Sequence, residues 1–76
     1  MSSELPVLKA KEVIRILLRG GFYIHHQSGS HVQLKHQSKK DLWITVPYHN
    51  KDLPKPIIRS ILKQVQLTVE EFNALR

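Results

Sequence analysis

The chain has 76 residues and no cysteine, and its 12 Lys and Arg against 6 Asp and Glu give a net charge of +6 and a pI near 10.0. Disulfides and cysteine-bound zinc are excluded, no apolar run approaches the ~18 residues that cross a bilayer, and the opening MSSELPVLKA lacks the basic-then-apolar order of a secretory signal. These features predict one soluble domain over residues 1–76 in a reducing cytoplasm, with a thin core that hides about 60–65% of the unfolded chain's surface.

The first periodic segment is KAKEVIRILLRGG. Ala10, Val13, Ile14, Leu17 and Leu18 fall on one helical face, and Lys11, Arg15 and Arg19 run down another. Gly20-Gly21 is a stop signal, because glycine enters the left-handed cap conformation without a Cβ clash. The start is weak: neither Leu8 nor Lys9 offers a side-chain acceptor to the free amides, at a cost of about 1 kcal/mol.

The period then changes to two. FYIHHQ, HVQLKH and LWITVP each alternate apolar and polar residues, and the linkers SGS and QSKKD predict a three-stranded antiparallel meander. Keeping apolar residues on one face pairs Ile24 with Leu34, Phe22 with His36 and Gln27 with His31, which leaves Ser28-Gly29-Ser30 as a three-residue loop. The same rule pairs Leu34 with Ile44, Val32 with Val46, Lys35 with Trp43 and His31 with Pro47, and it makes the second strand central. The opposite face then carries Tyr23, His25, Gln27, His31, Gln33, Lys35, Trp43 and Thr45. His26 and His36 alternate toward the core side, at the rim.

After PYHNKDLP comes KPIIRSILKQV, a helix with Pro56 in its first turn, where the missing N–H is harmless. Ile57, Ile58, Ile61, Leu62 and Val65 form its expected buried face, and Lys55, Arg59 and Lys63 an exposed basic stripe. In TVEEFNALR, Thr68 and Glu71 fit a capping box, with Val69, Phe72 and Leu75 for docking. The expected fold is α+β: a meander with two helices packed on one face, in the order αβββα, and a short C-terminal helix.

Charge is concentrated in the middle of the chain. Between Val13 and Val69, nine Lys and Arg face only Asp41 and Asp52. A basic body of this kind suits a polyanion, nucleic acid first and an acidic protein second, or it serves solubility alone.

The order αβββα resembles the double-stranded RNA-binding fold, and particular residues resemble the HicA-type mRNA interferase toxins. They are Gly20-Gly21-Phe22, Gly29-Ser30-His31, Val46-Pro47-Tyr48-His49 and Arg59-Ser60-Ile61-Leu62-Lys63-Gln64, followed by LTVEEFNAL. The resemblance implies a toxin that cleaves mRNA and is neutralised by a HicB-type antitoxin; the expected enzyme needs no metal cofactor and is monomeric when free or hetero-oligomeric with that partner. It also implies that the histidine of Gly-Ser-His, His31, is catalytic. Where the family often has Gly-Thr before the last long helix, this chain has Pro56-Ile57, which stiffens the approach from His49.

Imidazole exchanges protons near neutrality, so a histidine at position 31 suits either transfer in RNA cleavage. Ser28, Gly29 and Ser30 add backbone and hydroxyl donors for a phosphate. His49 and His25 are candidate accessories, each with an alternative as an ordinary loop or strand residue. Lys35 is expected either in a cation–π pair with Trp43 or on a phosphate while Trp43 and Tyr23 stack on unpaired bases, Tyr23 also fitting the core rim. Arg59 belongs to the basic helix face that would follow an RNA backbone. His25, His31 and His49 lack the spacing of a zinc site. Two other functions fit the same residues: a non-catalytic RNA-binding module and an interaction protein for an acidic partner.

Overall fold

The computed structural model describes residues 4–76. The elements in chain order are β1 (Leu8–Lys9), α1 (Ala10–Arg19), β2 (Phe22–Ser28), β3 (His31–His36), β4 (Trp43–Pro47), β5 (Asp52–Leu53), α2 (Lys55–Gln64) and α3 (Val69–Ala74). The α+β meander expected from alternation is present, in the order β2-β3-β4 with β3 central.

Alternation decides which face is covered. Val32 and Leu34 of β3 and Ile44 and Val46 of β4 are buried together with Val13 and Leu17 of α1 and Ile58, Ile61 and Leu62 of α2. The apolar stripes of both helices therefore close over one face of the sheet. Phe72 of α3 is fully buried and joins the same core. Burying a side chain of this size contributes roughly 1.5–3 kcal/mol, which is why a six-residue helix holds its place.

The helix ends follow local chemistry. At the start of α1, Lys9 supplies no side-chain acceptor, but Glu12 reaches back to accept the Lys9 N–H at 3.0 Å. At its end, Gly21 has φ +96°, and a Cβ there would sit 2.8 Å from His36 Nε2. Thr68 and Glu71 form the expected reciprocal capping box: the Glu71 N–H donates to Thr68 Oγ1 at 3.0 Å and the Thr68 N–H to Glu71 Oε1 at 2.8 Å. Gln66 closes α2 with φ +61°, where the Leu67 N–H reaches back to the Leu62 carbonyl at 2.9 Å.

Several expectations are corrected. On α1, Ile16 is buried and Leu18 exposed; on α2, Ile57 is exposed. Both exposed residues flank the apolar stripe, so rotation of the helix by one position suffices to turn them out. A two-stranded ribbon, β1 against β5, pairs Leu8 with Leu53 and Lys9 with Asp52, and neither segment is long enough to show a period.

The β2–β3 hairpin differs most. Phe22↔His36 and Ile24↔Leu34 pair as expected, but then His26 faces Gln33, Gln27 faces Val32 and Ser28 faces His31. The loop is the two-residue Gly29-Ser30 turn, with Gly29 at φ +54°, instead of Ser28-Gly29-Ser30. Ile24 to Ser28 is four steps along β2 and Leu34 to His31 only three along β3, so one residue must bulge, at His25. Two-residue turns match strand twist, and an edge strand absorbs the surplus residue easily. The bulge moves Gln27 off the polar face and brings His26 and Ser28 onto it. On this edge strand only Phe22 is buried, and Ile24 is 46% exposed.

Candidate functional site

The uncovered face of the sheet is built from the residues that alternate away from the core. Across it run three rungs: Ser28–His31–Pro47, His26–Gln33–Thr45 and Tyr23–Lys35–Trp43. The β3–β4 pairs are those expected from the sequence, because β4 continues the alternation of β3 without a bulge.

His31 opens β3 and is exposed, directly after the Gly29-Ser30 turn. Its Nδ1 lies 3.5 Å from Ser30 Oγ, the outer limit of a hydrogen bond. The turn is held at its base by the Tyr48 N–H donating to the Ser30 carbonyl. Nothing lies within 4 Å of the space a Cβ on Gly29 would occupy, so the Gly29 side of the turn is open. The chemistry available here is that of an accessible imidazole beside a hydroxyl and a small, open turn.

At the other end of the same face, Trp43 is 54% exposed beside Lys35. His25, Gln33, Lys35, Lys40 and Trp43 line a hollow of about 400 Å³. A second hollow, of about 200 Å³, is lined by Tyr23, Lys35, His36, Gln37 and Lys40. The structure thus brings Ser28, Gly29, Ser30 and His31 together at one end of the face, and Lys35 with Trp43 at the other.

It does not bring Arg59 to that group, whereas His49 directly follows Tyr48, whose N–H bonds the Ser30 carbonyl at the turn. His49 lines a separate hollow of about 120 Å³ with Lys9, Lys11, Tyr48 and Asn50. Arg59 lies on the exposed side of α2, whose buried side carries Ile58, Ile61 and Leu62 against the core. Among the described residues, no three His, Cys, Asp or Glu side chains are grouped so as to hold a metal ion.

The five histidines divide by position. His36 is structural. Its Nε2 donates to the Gly20 carbonyl at 3.2 Å, its Nδ1 accepts the backbone N–H groups of Ser38 and Lys39 at 3.1 and 3.0 Å, and its ring meets Phe22 edge-on at 4.9 Å. His26, expected at the core rim, instead shares the polar face with His31 because of the bulge. Lys40 and His26 went unrecognised in the sequence. The face of His26 depends on where the surplus residue of β2 is placed, which the sequence leaves open, and nothing local distinguishes Lys40 from its neighbours.

The fold and its uncovered face define a small αβββα protein with a basic, aromatic-bearing sheet surface and one exposed histidine at a turn. The family described as "HicA toxin of bacterial toxin-antitoxin" matches residues 10–67, from the first residue of α1 past the end of α2. The chain belongs to the HicA toxin family, which makes it the toxin half of a toxin–antitoxin pair and gives it an antitoxin as partner. No curated protein matches it. Among the described residues, no helix is long and apolar enough to cross a membrane.

Proposed function

We propose that the chain is a metal-independent endoribonuclease that cleaves mRNA, with His31 as a proton-transfer residue and a HicB-type antitoxin as its inhibitor. The observation that carries this reading is the position of His31: exposed, at the head of the central strand, on the polar face and beside the open Gly29-Ser30 turn. In such a cleavage the RNA 2′-hydroxyl attacks the adjacent phosphorus and the bond to the 5′-oxygen breaks. A base takes the hydroxyl proton, and an acid supplies one to the leaving oxygen. His31 performs one of these transfers. The other falls to a different group close by: His26 and His25 stand on the same face, and His49 follows Tyr48 at the base of the turn. Ser28, Gly29 and Ser30 offer donors to the phosphate, and Lys35 meets the flanking backbone.

The test is cleavage of labelled RNA in EDTA by the wild-type chain and by His31→Ala. General acid–base catalysis is worth about 10²–10⁴-fold, so the variant should lose activity on that scale. Because His31 is exposed and its side-chain hydrogen bond to Ser30 is at the distance limit, the thermal midpoint should not move. Full activity in His31→Ala, or dependence on added metal, overturns the proposal. Binding of RNA without cutting by the wild type would instead favour a non-catalytic module.

A further inference from the structure

The two hollows on the sheet face share Lys35 and Lys40, and each has one exposed aromatic ring. Along a single rung, Tyr23, Lys35 and Trp43 stand directly opposite one another, the rings 41% and 54% exposed. Lys35 thus sits between two aromatic surfaces, and Lys40 lines the hollow beside each. An exposed indole gains little from the core, and the chain has only one tryptophan to spend in this way. The larger hollow, at about 400 Å³, falls in the range of about 300–1,000 Å³ that accommodates small organic groups. Asp41, next to Lys40 in the chain, lines neither hollow.

We infer that this rung is a binding site for a single-stranded RNA dinucleotide step: one base against Trp43, the next against Tyr23, and the phosphate between them on Lys35 and Lys40. His25 and Gln33 supply polar edges to the base in the larger hollow. Aromatic stacking requires a base free of its own stack, so the site selects unpaired RNA and rejects duplex. From Lys35 to His31 is four strand residues, about 13 Å at ~3.3 Å per residue, along one straight face. A strand bound on the rung therefore extends along β3 toward His31. The inference rests on the proposed function only for that connection; binding itself needs no cleavage.

The single tryptophan makes the experiment direct. His31→Ala protein is titrated with a short single-stranded oligoribonucleotide of mixed sequence, and with the same sequence as a duplex, while anisotropy reports binding and Trp43 emission reports stacking. The single strand should quench Trp43 in step with anisotropy and bind more tightly than the duplex. Trp43→Ala and Tyr23→Ala should each raise Kd about 5- to 150-fold, and Trp43→Phe should restore most of the affinity. Lys40→Ala should flatten the dependence of log K on log salt by about 0.7, the contribution of one phosphate on a single strand. Unchanged Trp43 emission at full binding, equal affinity for duplex, or wild-type affinity in Trp43→Ala overturns the inference. Quenching without cleavage by wild type would remove the nuclease reading and leave this site intact. Cleavage without quenching would do the reverse.

Discussion

Replacing His36 with Ala should destabilise the fold without touching the proposed chemistry, the opposite of the effect of His31→Ala. The ring ties three segments together: the end of α1 through Gly20, the start of the β3–β4 connection through Ser38 and Lys39, and the first residue of β2 through Phe22. The bond to the Gly20 carbonyl is partly buried and worth about 1 kcal/mol net. The Nδ1 acceptor shared by two backbone amides contributes about as much, and the edge-on ring contact with Phe22 about 1 kcal/mol more. The loss is therefore about 3 kcal/mol. For a chain this short that lowers Tm by about 12–24 °C, and it is a large part of a total stability of about 4–11 kcal/mol. The assay is urea unfolding followed by circular dichroism, with His31→Ala alongside as the exposed comparison. A His36→Ala midpoint within about 0.5 kcal/mol of wild type would refute the assignment of a structural role to this ring.

Two further outcomes are expected. Gln66→Gly should raise stability by about 0.5–1 kcal/mol in the same unfolding assay, because a side chain at φ +61° is strained where glycine is not. The capping box at α3 should be pH-sensitive: hydrogen bonds from the backbone and side chain of Thr68 hold the Glu71 carboxyl below its ordinary value of 4.5. A carboxyl that binds its proton more weakly when folded stabilises the fold above that value and loses its contribution as pH falls through the lowered one. Wild type should thus lose more stability than Glu71→Gln between neutral and acidic pH, and parallel curves for the two would contradict the cap.

The local elements were legible because their causes lie within a few residues. The alternation in HVQLKH and LWITVP placed the faces of β3 and β4, since side chains in a strand point to opposite sides in turn. Thr68 and Glu71 announced α3 three residues apart, and Gly20-Gly21 ended α1 where a positive φ was needed. Because His31 and Lys35 are both even steps from Gln33 on one strand, their shared face also followed from sequence order.

Other features depended on contacts between distant segments. Leu8 meets Leu53 in a ribbon too short to carry any pattern, and that pairing is decided by how α1 and α2 settle on the sheet. The surplus residue at His25 could have gone into the loop or into the strand. Only the energetics of the closed hairpin chose the strand, and with it the face on which His26 lies. The hollows around Lys35 and Lys40 bring residues from β2, β3, β4 and the β3–β4 connection to one place. Periodicity reports which side a residue prefers. Concavity is a property of several segments at once, so it exists only after the chain has folded.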